Sequence, residues 1–299
     1  MFNFITSRIG VKVSLKVNCI ILIVMSIGTY FLVSQQNQSL EQELLNRGKI
    51  QSIIGAKMIG QILEEAIDNG VLTVKDAFDT NYEIIGDFDP PKYHTKYDFY
   101  LDKAILGLED EFLLDDSIVF AVAVDRNGYL PTHNTRFQKP ITGDREKDKV
   151  GNRTKRVFND PVGIKAARNT TKGFLQIYHR DTGEVMWDVS SPIYVKGKHW
   201  GAFRIGLSLE AIKAAQKKLT KTMITIMGGI LLLSLILTFL TVNSSLAPLH
   251  TLTEIAMDLA NGENLDREIK ITRNDEIGKL QETLERLRMS MMIIFKRRQ

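Results

Sequence analysis

Residues 222–242 read TMITIMGGILLLSLILTFLTV and contain no charged side chain. At 1.5 Å per helical residue such a run is about 30 Å long, which is the thickness of a bilayer core. The chain continues into Leu246-Ala247-Pro248-Leu249 and later into Asp275-Glu276-Ile277-Gly278. We therefore predict a membrane helix at 222–242, followed by two helices that are joined by a connector.

A second uncharged apolar run occupies residues 17–33, close to the N-terminus. Arg8, Lys12 and Lys16 precede it, as in the charged region of a signal peptide. The length of the run and the lack of an A-x-A cleavage site favour an uncleaved membrane helix at 13–33.

The distribution of positive charge gives the orientation of the two spans. Basic residues near the tail at 1–12 place the N-terminus in the cytoplasm, whereas lysines at 213–221 crowd the other side of the second span. The positive-inside rule is weak for loops longer than about 60 residues, so the N-terminal tail decides. We predict a two-pass protein of the inner (cytoplasmic) membrane, with residues 34–221 in the periplasm or outside the cell.

Composition limits the classes of function. The net charge of +4 is dispersed and forms no basic stripe, so nucleic acid is not an expected partner. The single cysteine, Cys19, cannot form an intramolecular disulfide. The sequence shows no Gly-rich phosphate loop, metal-ligand cluster or nucleophile elbow. We therefore predict a protein that is not an enzyme and carries no cofactor or metal.

Helical and strand patterns alternate between the two spans. Apolar residues about four apart predict a helix at 35–69, which either packs on its own sheet or acts as a rod toward the membrane. A second helical stretch lies at 97–114. Residues 118–124 form an unbroken apolar run typical of a buried strand, and 125–128 form a hairpin turn.

A polar loop and further strands follow. Residues 143–172 form the loop, with a short helix at 161–168. Strand patterns occupy 174–178, 185–195 and 200–209, and the chain then passes as a helix into the second span. We predict the α+β class, with a long N-terminal helix and about five antiparallel strands on one sheet.

Beyond the second span, apolar residues recur at spacings of three and four, as in helices that bury one seam. The first helix carries Leu249, Leu252, Ala256 and Leu259, and the second carries Ile277, Leu280, Leu284, Leu287, Met291 and Ile294. Gly262 ends the first helix, and Asp275 and Glu276 cap the second. Because two such short helices cannot bury their seams alone, we predict a homodimer.

This C-terminal part resembles a HAMP domain at 243–296, which leaves 297–299 as the C-terminal end. The resemblance implies a parallel four-helix bundle made by two chains. It assigns signal relay to Pro248, Gly262, Asp275, Glu276, Ile277, Gly278, Leu280, Leu284 and Leu287.

The region at 34–221 resembles the Cache sensors, which are extracytoplasmic PAS-like modules. The likeness lies in residues 124–134, 152–156, 180–188, 192–195 and 199–206. Together with the HAMP-like part, the chain is similar to the N-terminal half of a bacterial methyl-accepting chemotaxis protein. The resemblance implies a receptor for a small extracytoplasmic ligand.

The polar loop is basic, with nine Lys or Arg residues against four Asp or Glu residues between Asp144 and Lys172. One interpretation is a site for a small organic anion, which Arg153 and Arg156 could hold through bidentate hydrogen bonds. The other is a solvated loop that faces lipid head groups. The candidate ligand-binding residues are Tyr129, His133, Arg153, Arg156, Tyr178, Trp187, Asp188 and Arg204.

Two details of this site stay open in the sequence. Asp188 and Arg204 both alternate with apolar neighbours, so they are either exposed or paired across a hairpin. Non-covalent haem on His133 or His179 is a further hypothesis, because no C-x-x-C-H motif provides covalent attachment.

The predicted function is a transmembrane receptor that relays ligand binding through the HAMP domain by a population shift. The alternative is an adaptor or structural membrane protein that acts by HAMP-mediated pairing without sensing. No methyl-accepting hairpin or kinase domain follows the second HAMP helix. We expect either a fragment of a longer receptor or a protein that pairs with a separate cytoplasmic signalling protein or a full-length receptor.

Overall fold

The structure is a computed structural model that describes residues 9–180 and 183–296. The chain divides into two compact units. The first, which we call the sheet unit, is Gln35–Thr220; the second, the span unit, comprises Met1–Ser34 and Lys221–Gln299.

Helices and strands are numbered in chain order. The helices are α1 (Ile9–Asp68), α2 (Val74–Ala77), α3 (Asp98–Ala104), α4 (Leu106–Glu111), α5 (Arg145–Gly151), α6 (Pro161–Arg168), α7 (Leu209–Asn261) and α8 (Glu276–Lys296). The strands are β1 (Glu83–Ile85), β2 (Lys92–His94), β3 (Ile118–Asp125), β4 (Tyr129–Leu130), β5 (Arg156–Val157), β6 (Phe174–His179), β7 (Val185–Val195) and β8 (Lys198–Ser208). Short 3-10 turns occupy Phe112–Leu114 and Thr135–Phe137.

Within the described residues, α1 and α7 are two helices that are long and apolar enough to cross a membrane. The most apolar 18-residue stretch of each is not buried inside the protein. Water would strongly disfavour so much exposed apolar surface, whereas the bilayer core accepts it. Helices α1 and α7 include the predicted spans at 13–33 and 222–242. Pro248 lies inside α7, so the helix that follows the second span is continuous with it.

The sheet unit is built on a four-stranded antiparallel sheet with the order β3-β8-β7-β6. Strand β7 has the bounds predicted for 185–195. Two further pairs, β1 with β2 and β4 with β5, form separate two-stranded sheets. The described residues thus contain eight strands instead of about five. Strands β1, β2 and β5 were not predicted and have two or three residues, which is too short to show an alternating pattern.

The helices of the sheet unit agree with the sequence in part. The predicted helix at 161–168 is confirmed as α6. The stretch at 97–114 is not one helix but α3, α4 and a 3-10 turn. Helix α5, in the polar loop, was missed because it has no apolar stripe. Asp144 caps it by accepting hydrogen bonds from the amides of Glu146 and Lys147.

Helix α1 packs on one face of the central sheet. Ile59 and Leu63 are fully buried there against residues that include Phe203 of β8. Gly60 brings the helix backbone close to β7, where an added Cβ would lie 2.6 Å from the carbonyl oxygen of Tyr194. The prediction that this helix packs on its own sheet is therefore confirmed.

Side chains accept hydrogen bonds from backbone amides on the open edge of strand β3. The amide of Ala121 donates to Asn134 Oδ1 at 2.9 Å, and the amide of Ala123 donates to Glu109 Oε1 at 2.9 Å. Burial raises the pKa of Glu109 well above its ordinary value. These side chains occupy amides that an open edge would offer to another strand.

The contact at Gly60 predicts the effect of one methyl group. Gly60→Ala places Cβ against the Tyr194 carbonyl oxygen and should lower the free energy of unfolding of the sheet unit by about 1–3 kcal/mol, although alanine has the higher helix propensity. Urea unfolding of the full chain in nanodiscs, followed by the fluorescence of Trp187 and Trp200, measures the change.

The matched control is Gly107→Ala in α4, where nothing lies within 4 Å of an added Cβ. There the gain in helix propensity should leave the urea midpoint unchanged or raise it. Equal midpoints for the two variants would contradict the close packing of α1 on the sheet.

Candidate ligand-binding site

A small cavity lies on the opposite face of the central sheet, beside α6. Its walls come from β3, β6 and β8, from the segment after β4, and from residues next to β5. The lining residues are Phe120, Val122, Leu130, His133, Arg153, Phe158, Tyr178, Arg180 and Arg204. We call this space the arginine cavity.

Guanidinium groups around the cavity lie over aromatic rings. Arg153 and Arg156 each place Cζ 5.0 Å from the ring centre of Phe158. Arg180 places Cζ 4.4 Å from the ring centre of Phe137. All three arginines are more than nine-tenths buried. The negative faces of the rings partly offset the cost of removing the cations from water.

An ion pair crosses from β8 to β7 at the base of the cavity. Arg204 Nε donates to Asp188 Oδ1 at 3.1 Å, and Asp188 is fully buried. Of the two alternatives for these residues, exposed or paired, the structure shows the pair. The Nη2 atom of Arg204 is buried and has no hydrogen-bond partner among the described residues. Burial raises the pKa of Asp188, whereas the Arg204 charge favours its ionised form.

His133 is the neutral member of the site. It is 3% exposed, and its Nδ1 atom has no hydrogen-bond partner among the described residues. Burial lowers the pKa of His133 well below its ordinary value, and four neighbouring cations act in the same direction: Arg153, Arg180, Arg156 and Arg204. An anion in the cavity would therefore face several guanidinium groups and an uncharged imidazole.

The cavity is small. Its volume is about 20 Å³, which is room for roughly one water molecule. A haem group does not fit beside His133 in this space. His179, the other histidine considered for haem, is exposed on β6.

The structure brings together most of the predicted ligand-binding residues. Four line the cavity: His133, Arg153, Tyr178 and Arg204. Arg156 contacts the cavity wall through Phe158, and Asp188 contacts it through Arg204.

Tyr129 and Trp187 do not join the arginine cavity. Both belong to the core on the α1 side of the sheet. Tyr129 Oη donates to Asp98 Oδ2 at 2.8 Å, and burial raises the pKa of Tyr129. Trp187 precedes Asp188 on the same strand, so its side chain points to the opposite face.

Arg180, Phe120 and Phe158 line the cavity but were absent from the predicted set. The sequence pattern places Arg180 in a turn, and its Nη1 lies 2.9 Å from Glu184 Oε2. The spacing held the missing signal, because Arg180 follows Tyr178 by two residues and so shares its face of the strand.

The HAMP-like helices have the predicted ends. Gly262 follows α7 with φ 73, a left-handed conformation that favours glycine. Asp275 Oδ1 accepts hydrogen bonds from the amides of Ile277 and Gly278 at 3.1 and 3.2 Å, which caps α8. A Cβ on Gly278 would collide with the carbonyl oxygen of Arg273. Glycine is therefore required at this position by close backbone packing.

Polar side chains of α8 hold the connector. The amide of Thr272 donates to Gln281 Oε1, and the amide of Ile269 donates to Glu285 Oε2, both at 2.9 Å. Arg288 hydrogen-bonds Glu285 at 2.6 Å and lowers its pKa to about 2. No pattern in the sequence indicated these contacts.

The apolar seam of this part is only partly covered within one chain. Leu252 and Leu259 are buried. Leu280 and Leu287 on α8 are 42% and 49% exposed. A second chain could bury these leucines.

A family model, described as the HAMP domain, matches residues 240–291. The chain therefore contains a HAMP domain, which confirms the resemblance found for 243–296. No curated protein matches the chain.

Solved structures to which the chain shows some similarity include sensor domains of bacterial receptors. The Escherichia coli DcuS sensor domain is 19% identical with a TM-score of 0.26, and the match covers 38% of this chain and 72% of that one. The sensory domain of the Campylobacter jejuni chemoreceptor Tlp3 with isoleucine bound is 10% identical with a TM-score of 0.30, over 60% and 65% of the two chains. An extracellular ligand binding receptor from Desulfohalobium retbaense is 15% identical with a TM-score of 0.31, over 61% and 25%.

The lowered pKa of His133 predicts a loss of stability in acid. Below the ordinary histidine pKa of about 6.5 the unfolded chain binds a proton that the folded chain does not, so stability falls as the pH decreases toward the folded-state pKa. The contribution approaches about 1.4 kcal/mol per pH unit. His133→Asn should remove it from the difference between urea unfolding at about pH 7.5 and about pH 5.5.

His179→Asn is the matched control, because His179 is exposed, and it should leave the pH dependence unchanged. An unaltered pH dependence in His133→Asn would contradict the neutral, buried state of His133.

Proposed function

We propose that the protein is a transmembrane sensory receptor whose arginine cavity binds a small organic anion through a carboxylate or phosphate group. The observation that carries the proposal is the burial of Arg153, Arg156, Arg180 and Arg204 around one cavity. Oxyanions are the groups that guanidinium forks bind best.

The charges near the cavity favour an anion over a cation or an amine. Asp188 pairs with Arg204, and Glu184 pairs with Arg180. The four arginines around the cavity are buried, and His133 is neutral. Guanidinium groups donate several N–H hydrogen bonds and repel a cation, so the site favours an anionic ligand.

The Nη2 atom of Arg204 is a donor available to such a ligand, because it is buried without a partner among the described residues. The Nδ1 atom of His133 offers a second polar contact. Since the cavity has room for roughly one water molecule, a larger ligand must displace side chains at the rim. That displacement is the conformational change that a receptor could relay.

The relay would follow the chain from the sheet unit to the HAMP domain. Strand β8, which carries Arg204, is followed at once by α7, and α7 continues to Asn261. A ligand shifts the receptor between two states by its difference in affinity for them, and couplings of about 1–3 kcal/mol are typical. In this proposal the sheet unit lies outside the inner membrane, and both termini are cytoplasmic.

The HAMP domain would act as a homodimer, since Leu280 and Leu287 need a partner to become buried. Its output would require a separate cytoplasmic signalling protein or a full-length receptor as partner. The second candidate function is an adaptor that pairs through its HAMP domain without sensing. The partly exposed seam favours pairing in both functions, so ligand binding is the property that separates them.

Ligand binding can be tested with a panel of succinate, citrate, acetate and isoleucine. In nanodiscs, at least one of the carboxylates without an amine should raise the unfolding temperature of the full chain by mass action. Arg153→Gln removes a buried guanidinium donor and should weaken the affinity by about 10- to 100-fold. Calorimetry measures the dissociation constant.

The matched control is Arg136→Gln, because Arg136 is exposed and donates only weakly, at 3.4 Å, to the carbonyl oxygen of Val119. This variant should bind like the original chain. Stabilisation by isoleucine alone, or equal effects of the two substitutions, would refute the anion site.

Dimerisation can be tested by cysteine cross-linking in the Cys19→Ser background. Leu287→Cys should form an oxidative dimer in membranes, because equivalent seam residues of two parallel helices come close enough for a disulfide. Met289→Cys lies on the opposite side of α8 and is similarly exposed, at 44%. Equal cross-linking of the two variants would argue against the predicted seam.

A further inference from the structure

A second cleft in the sheet unit lies near the β7–β8 hairpin. Its lining residues are Phe78, Arg126, Arg168, Lys198 and His199, and its volume is about 570 Å³. Arg126 directly follows β3, Arg168 ends α6, and Lys198 begins β8. We call it the tip cleft.

The tip cleft combines three cations with no carboxylate in its lining. Arg126, Arg168 and Lys198 are exposed, and within the part of the chain that the structure describes none of them forms an ion pair. Three like charges around one cleft repel one another. A bound anion would relieve this repulsion.

His199 places a buried ring nitrogen in the lining of the tip cleft. Its Nε2 atom is buried and has no hydrogen-bond partner among the described residues. Burial, together with the charge of Arg126, lowers the pKa of His199. A buried polar atom without a partner is costly, and a ligand oxygen or hydroxyl in the cleft could supply the partner.

The backbone around the cleft is fixed by buried hydrogen bonds. Trp200 Nε1 donates to the carbonyl oxygen of Ala77 at 2.8 Å, which holds the chain next to Phe78. The amide of Arg126 donates to the carbonyl oxygen of Trp200 at 2.9 Å. The backbone that carries the cations is therefore held in place before a ligand binds, which lowers the entropic cost of binding.

We propose that the tip cleft binds a small polyanion that carries two or more phosphate or carboxylate groups. Arg126 and Arg168 hold these groups through bidentate hydrogen bonds, Lys198 adds a third charge, and Phe78 contacts the apolar part of the ligand. The volume of the tip cleft admits a molecule of several carbon atoms without displacement of side chains, whereas the arginine cavity admits one only after such a displacement. This site uses none of the residues of the arginine cavity and does not depend on the function proposed above.

The test uses the full chain in nanodiscs of zwitterionic lipid, with pyrophosphate and citrate as probes in separate titrations. To exclude the arginine cavity, the titrations are made in the Arg153→Gln background. We expect saturable binding of at least one probe. Arg126→Gln with Arg168→Gln should weaken it by at least about tenfold. Binding of one probe alone identifies the ligand chemistry as phosphate or carboxylate.

The control is Lys75→Gln with Lys103→Gln, which removes the same charge from two exposed positions of the sheet unit. This variant should keep the original affinity. The proposal is overturned if neither probe binds saturably, if the arginine double variant retains the affinity, or if the lysine control loses as much. An unchanged urea midpoint verifies that the exposed substitutions leave the fold intact.

Discussion

The burial of guanidinium groups on one face of the central sheet is the constraint on which the site depends. A buried charge is unfavourable unless it is paired, stacked or hydrogen-bonded. Asp188 pairs with Arg204, the ring of Phe158 lies against Arg153 and Arg156, and the ring of Phe137 lies against Arg180. These contacts reduce the cost of burying the four guanidinium groups. Burial lowers the pKa of His133, and the neighbouring arginines act in the same direction, so the imidazole is neutral beside four cations.

The strand pattern in the sequence predicts some residues of the arginine cavity. It does not predict those whose position depends on the face of a very short strand or on a long-range contact. Asp188 and Arg204 lie on neighbouring strands, and the alternation of side chains along each strand places them on the same face of the sheet. The same alternation places Trp187, which adjoins Asp188, on the α1 face and therefore outside the arginine cavity. Tyr129 was misplaced because its strand β4 has two residues, too few to fix a face. Arg180 was missed because it follows β6 in a turn-like stretch, and its two-residue spacing from Tyr178 was not taken into account.

Local signals explain why the HAMP helices were predicted well. A C′ glycine and an N-cap aspartate act within a few residues of the helix end, so the roles of Gly262 and Asp275 can be predicted from the sequence. The contacts of Gln281 and Glu285 with connector amides could not be predicted, because the sequence does not indicate which distant amide a polar helix residue contacts. The requirement for Gly278 is likewise a matter of space, since its backbone passes against the carbonyl of Arg273.

Helix α6 links the two basic sites of the sheet unit. It has eight residues and is therefore about 12 Å long. At its first turn, a Cβ on Gly163 would lie 3.4 Å from Nη1 of Arg204, and the carbonyl oxygen of Val162 accepts a hydrogen bond from Gln176 Nε2. At its last turn it carries Arg168 into the tip cleft. Close-packed contacts transmit displacement rather than absorb it. The same short helix therefore adjoins Arg204 at one end and carries Arg168 at the other, so the two basic sites share one rigid element.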